Sequence, residues 1–131
     1  MSVRRMELFL KFRLAATHSL EEREEPHAHI WRIEVGLTGP VEEGRVISMP
    51  ALQAILDPEV QKLRGTFLNK NILLDEASRA FPTCECLAEY FEKAFDRALA
   101  AKGCKVLLTQ IHIAVDEIDG QETGSARLTI R

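Results

Sequence analysis

Pro26-His27-Ala28-His29-Ile30-Trp31 is the stretch on which the reading of this chain turns. It runs on into Arg32-Ile33-Glu34-Val35-Gly36-Leu37-Thr38, and the alternation is clean. His27, His29, Trp31, Ile33, Val35 and Leu37 share one parity, and Ala28, Ile30, Arg32, Glu34, Gly36 and Thr38 the other. Side chains of a strand leave alternate faces, so the pattern predicts a half-buried strand over His27–Thr38 with both histidines on its apolar side. Upstream, Arg5 to His18 alternates in the same way. Leu8, Leu10, Phe12, Leu14, Ala16 and His18 fall on one face, with Glu7, Lys11, Arg13 and Thr17 among those on the other. Residues 19–26 are strongly charged and read as a solvated connector, or as a place from which a carboxylate folds back. If the two strands form a hairpin, the end of the first lies beside the start of the second. His18, His27 and His29 then meet at one corner of the apolar face. Three imidazoles at a common point can make a three-nitrogen zinc site with a fourth position open, the alternative being three ordinary histidines at strand ends.

Composition bounds the rest. The chain has 131 residues, 46% hydrophobic and 28% charged, with a net charge of −3. That length suits one domain, 1–131, with a real core. No basic stripe points to nucleic acid, and no apolar run is long enough to span a membrane. The N-terminus, Met1 to Met6, is too short and too soon followed by Lys11 and Arg13 to read as a signal peptide. Three cysteines, Cys84, Cys86 and Cys104, do not make a disulfide framework. A reducing, cytoplasmic setting is expected.

Beyond the hairpin, Gly39-Pro40 and Glu43-Gly44 mark a turn region, and Arg45-Val46-Ile47 reads as extended. Ser48 suits an N-cap with Pro50 in the first turn, and Leu52, Ile55, Leu56 and Leu63 form a helical stripe, with a break or kink expected at Asp57-Pro58. Residues 64–82 look irregular. Thr83 opens the strongest helix, with Leu87, Phe91, Ala94, Phe95 and Ala98 on its buried face and Gly103 as the stop. Strands follow over about Cys104–Glu117 and Ser125–Arg131, joined by a turn near Asp119-Gly120. The predicted class is α+β: a four-stranded antiparallel sheet with two helices between the second and third strands.

The ordered motifs resemble the family of 6-pyruvoyltetrahydropterin and 6-carboxytetrahydropterin synthases. The segment Phe12-Arg-Leu-Ala-Ala-Thr-His18 is similar to the family's Phe-x-Ala-Ala-His, and His27-Ala28-His29 to its His-Gly-His. Gly44-Arg-Val-Ile-Ser48, Leu68-Asn69 and Pro82-Thr83-Cys84-Glu85-Cys86-Leu87-Ala88 follow in family order. The resemblance implies the tunnelling fold, in which trimers close their sheets into a barrel and two trimers stack as a hexamer. It implies a zinc ion on His18, His27 and His29 and a reduced pterin bound near it at a subunit interface. Glu117 matches the glutamate that holds the pterin ring, and Thr83 and Cys84 fall where the family lines the pterin pocket.

The chain also departs from that pattern. The family's cysteine, four residues before His-x-His, is Arg23 here. One branch has a glutamate three residues before instead, which is Glu24, although Glu22 and Glu25 flank it. The family's Leu-Asp-His reads Leu63-Arg64-Gly65. His112 is the one histidine left to replace the lost one, yet its parity gives it a different face from Glu117, so it reads as a surface or interface residue. Cys84 and Cys86 point to different faces of a helix start and read as packing, Cys104 as a buried strand residue, Glu85 as a brace for the helix start and Trp31 as core. Two functions stay open. One is a zinc-dependent lyase or synthase acting on 7,8-dihydroneopterin triphosphate or a related reduced pterin, with Glu24 as base. The other is a metal-retaining pterin or purine binder with little turnover.

Overall fold

The computed structural model describes residues 5–19, 25–40, 48–116 and 122–131. Strands β1 (Glu7–His18), β2 (His27–Thr38), β3 (Leu107–Asp116) and β4 (Glu122–Thr129) form one antiparallel sheet in the order β1-β2-β3-β4. Between β2 and β3 come α1 (Met49–Gln61), a 3-10 turn (Leu68–Lys70), α2 (Glu76–Ala80) and α3 (Cys84–Ala101). The expected turns at Glu43-Gly44 and Asp119-Gly120, and the extended segment Arg45–Ile47, lie outside the described residues.

Period-2 patterning decides which face of the sheet is buried. Leu10, Phe12, Leu14 and Ala16 of β1, Trp31, Ile33, Val35 and Leu37 of β2, and Ile111, Ile113 and Val115 of β3 all turn toward the helices. From the other side α1 supplies Leu52, Leu56 and Val60, and α3 supplies Leu87, Phe91 and Phe95. Phe91 and Phe95 stack with ring centroids 5.2 Å apart, and Phe95 meets Phe12 of the sheet at 6.1 Å. Buried aromatic pairs at this separation add to what area burial alone supplies.

Cap chemistry sets the helix limits. The Ser48 hydroxyl accepts the Ala51 amide at the start of α1, and the Thr83 hydroxyl accepts the Cys86 amide at the start of α3. After α3 the Gly103 amide bonds to Ala100 O and the Cys104 amide to Leu99 O, with Gly103 at φ +63°. That is the paired-bond helix stop for which glycine is suited.

Four expectations need correction. Of the break or kink expected at Asp57-Pro58, the break does not occur: α1 runs through Pro58 to Gln61, because buried Leu56, Val60 and Leu63 hold its last turn on the core. Residues 64–82 are not wholly irregular. Asp75 caps the short α2 by accepting the Ser78 amide at 2.7 Å, in a segment too brief for periodicity to reveal. Leu99 and Ala88 belong to the buried face of α3 as well, and Ala98 packs against the core only partly buried. Cys104 is half-buried and precedes β3 instead of belonging to it, since the helix stop consumes that position.

The end of the sheet far from the histidines holds a polar knot. The β2–β3 register shifts at Gly36/Leu37, so that Thr109 is an extra residue between Leu108 and Gln110. Glu7 accepts from both the Thr109 hydroxyl and, at 3.0 Å, the Gln110 amide. These two bonds, Thr109 first, hold the Glu7 carboxyl below the usual carboxylate range. Gly36 leaves the room: a Cβ there would stand 2.5 Å from Thr109 Oγ1 and 2.7 Å from Glu7 Oε1. Gly36→Ala is therefore expected to lower stability by about 1–3 kcal/mol through overpacking, measured by urea denaturation. A carboxyl whose folded pKa is depressed stabilises above its unfolded pKa and ceases to do so as pH falls through the folded one. The stability gap between the wild type and Glu7→Gln should accordingly close on acidification below about pH 4, and a gap independent of pH would contradict the knot.

Candidate metal centre

The hairpin register brings the three histidines to one corner. His18 is paired with His27 and Ala16 with His29, so all three imidazoles rise from the same face at the same end of the sheet. The His18 and His29 ring centroids are 4.9 Å apart and the His27 and His29 centroids 6.0 Å apart. The corner grades from core to surface, with His18 buried, His29 half-buried and His27 exposed. Trp31 forms its floor, edge-on to His18 at 4.9 Å and to His29 at 6.0 Å. Fully buried, Trp31 donates its indole N–H to Ala16 O at 3.2 Å. As expected it is a core residue, and it is also the wall against which two imidazoles rest.

Backbone carbonyls orient two of the rings. His18 Nδ1 bonds to Pro82 O at 2.8 Å, and His29 Nδ1 to Asp116 O at 3.3 Å. A carbonyl oxygen only accepts, so Nδ1 carries a proton in both rings, and in the neutral imidazole Nε2 then keeps the lone pair. This is the tautomer a metal ion takes, and a carbonyl behind the ring is the common partner of its other nitrogen. The chain just past His18 is held equally well. The Ser19 amide donates to Asn69 Oδ1 at 2.9 Å, and Asn69 Nδ2 donates to Ser19 O at 2.8 Å. One side chain thus acts as a strand partner for one residue. Alongside, the Gly65 amide bonds to Ala15 O and the Thr17 amide to Thr66 O, which covers the β1 edge at this corner.

The donor set suits a divalent cation. Two imidazoles sharing a tetrahedral ion at about 2.1 Å have ring centroids about 5 Å apart. The His18–His29 pair is already at that spacing, and the His27–His29 pair is about 1 Å wider. Among the described residues no three His, Cys, Asp or Glu side chains form a closed ligand set. The wider gap is at His27, the most exposed of the three.

Other site residues fall as follows. Thr83 and Cys84 directly follow Pro82, whose carbonyl holds His18, so the start of α3 borders the corner. Cys86 donates its thiol to Phe81 O, and Glu85 stands exposed in the first turn of α3, where a brace was expected. His112 lies on the opposite face of the sheet, across from Glu34 and Arg127, away from the imidazoles. Glu24 and Glu117 lie outside the described residues. Sequence reasoning missed the carbonyls of Pro82 and Asp116 and the clamp made by Asn69. Carbonyls have no sequence signature, but an asparagine beside buried Leu68, in a motif already noted, was a signal that could have been followed.

The family model for 6-pyruvoyl tetrahydropterin synthase matches residues 7–123. The chain belongs to that family. Solved structures of similar fold include a Caenorhabditis elegans 6-pyruvoyl tetrahydropterin synthase, 16% identical with a TM-score of 0.73 over 100% of this chain and 99% of that one. An uncharacterised Wolinella succinogenes protein is 14% identical with a TM-score of 0.70, over 98% of this chain and 100% of that one. A Plasmodium vivax 6-pyruvoyltetrahydropterin synthase, in which a glutamate described as a catalytic residue is replaced by alanine, is 14% identical with a TM-score of 0.65 over the same shares. No curated protein matches the chain significantly. Tetrahydropterin synthases of this family share the tunnelling fold seen here, a four-stranded antiparallel sheet with its helices after the second strand. Among the described residues no helix is long and apolar enough to cross a membrane.

Asn69→Ala removes both bonds to the Ser19 backbone and leaves that amide and carbonyl part-buried. It should cost about 1–3 kcal/mol, read as a lower thermal midpoint. Asn69→Asp keeps an acceptor and loses the donor, and it should fall between the two.

Proposed function

We propose that this chain is a zinc-dependent lyase or synthase acting on 7,8-dihydroneopterin triphosphate or a related reduced pterin, at work in the cytoplasm. What carries the reading is the imidazole corner, where His18 and His29 are each fixed by a backbone carbonyl in the tautomer that ligates metal. Family membership supplies the substrate class. His18, His27 and His29 would hold the ion, and the chemistry it would supply is polarisation of hydroxyl and carbonyl oxygens, which would acidify the adjacent carbons.

The remaining work belongs to the chain's own side chains. Glu24 is the base that takes the proton, a role supported by the catalytic glutamate of the Plasmodium vivax relative. Glu117 accepts two hydrogen bonds from the donor edge of the aminopyrimidinone ring, which fixes the ring and directs its side chain toward the histidines. Thr83 and Cys84 line the ring pocket. Two copies or more complete it: β1 and β4 are the outer strands of the sheet, and beyond the stretch of β1 that Gly65 and Thr66 cover their backbone groups call for partners. A homo-oligomer, trimer or hexamer, supplies them. Cys84, Cys86 and Cys104 form no disulfide, which suits a reducing compartment.

A second reading, a metal-retaining pterin or purine binder with little turnover, is favoured by one observation. Where the family has Asp-His, Arg64 is exposed and Gly65, at φ +71°, uses its amide to hold Ala15 O. That loop supports the sheet edge and offers no proton carrier. Incubation with 7,8-dihydroneopterin triphosphate, followed by pterin fluorescence and triphosphate release, separates the two. Turnover that disappears on chelation and falls about 10²–10⁴-fold in Glu24→Gln is expected. Tight pterin binding without turnover would favour the binder, and indifference to pterins would end the lyase reading and leave only a purine binder.

A further inference from the structure

The imidazole corner is braced from the other side of the sheet. His29 leans on the backbone carbonyl of Asp116, the last residue of β3. A carbonyl at a strand end is poorly fixed by its own ladder, and here the β3–β4 register shifts at Val115/Asp116. The Asp116 side chain points to the opposite face, where Arg32 Nη2 stands 3.0 Å from its Oδ1. That oxygen is enclosed and, among the described residues, receives no aligned hydrogen bond, so the charge of Arg32 is what offsets its burial. The neighbouring pair on this face is different in kind. Lys11 and Glu34 are 3.6 Å apart with Lys11 largely exposed, an arrangement of little energetic weight.

We propose that Arg32 is a positioning residue for the metal centre. By gripping the Asp116 carboxylate on the outer face, it fixes the Asp116 carbonyl that sets the tautomer and tilt of His29 on the inner face. Arg32 and His29 lie three apart on one strand and so leave opposite faces. The coupling therefore passes through Asp116 and not through direct contact. The inference rests on His29 being a metal ligand, and its test reads the ring both without and with metal.

In metal-free protein near neutral pH, long-range proton–nitrogen NMR spectra distinguish Nδ1–H from Nε2–H imidazole. His29 should be the Nδ1–H form in the wild type and in Lys11→Met, and a mixture in Arg32→Met and Asp116→Asn. Zinc affinity, by competition with a chromophoric chelator, should fall about tenfold in the last two and no further in the double variant. Arg32→Lys, which keeps the charge, should recover part of the loss. An Nδ1–H ring and full affinity in both Arg32→Met and Asp116→Asn would overturn the proposal, as would losses that add in the double variant. A wild type that binds no zinc while its His29 tautomer still follows Arg32 would sink the metal reading and leave the brace standing.

Discussion

The pairing of Leu14 with Trp31 and of His18 with His27 fixes core and site together. Side chains alternate along a strand, so a slip of one residue between β1 and β2 would send one strand's apolar set into water. It would send His27 and His29, or His18, with it. Apolar burial along two twelve-residue strands opposes that slip at every second position. The three imidazoles contribute little to this preference and are carried by it. A polar constellation at the edge of a sheet thereby inherits its precision from a hydrophobic pattern.

What the register leaves undone, backbone groups finish. An imidazole on a strand can still rotate about two side-chain torsions, and a carbonyl partner at Nδ1 restricts ring angle and protonation together. The two carbonyls come from places remote in sequence: Pro82 just before α3, and Asp116 at the end of β3. The stretch between α1 and α3 therefore does more than connect. Its Gly65 and Thr66 cover the edge of β1, Asn69 clamps Ser19, and Pro82 holds His18, so three separate points of one crossover converge on a single corner. Helix caps on either side of Pro82 keep that carbonyl in place: Phe81 closes α2 with its amide on Ala77 O, and Thr83 opens α3.

The two ends of the sheet meet the same demand by different means. At the histidine end, the rings of His18 and His29 bond to backbone carbonyls. At the far end, the bulge at Thr109 brings a hydroxyl and an amide to one carboxylate over Gly36. Both ends combine a register shift in a ladder that involves β3 with a polar anchor, consistent with strand ends that would otherwise fray.

Much of this was determined by sequence alone. Alternation is a local property, so the four strands, the inward face of β1 and β2, and the shared corner of His18, His27 and His29 could all be read from it. So could the Thr83 cap and the Gly103 stop, whose chemistry is confined to neighbouring residues. Tertiary structure alone decided the rest. Pro58 stays inside α1 because core contacts outweigh a lost hydrogen bond. The partners of the histidines are carbonyls, which every residue possesses and no sequence pattern distinguishes. The grip of Arg32 on Asp116 and of Asn69 on Ser19 joins positions far apart along the chain. Only the folded register brings them within reach, because hydrogen bonds and ion pairs act over a few ångströms and carry no trace at long sequence separation.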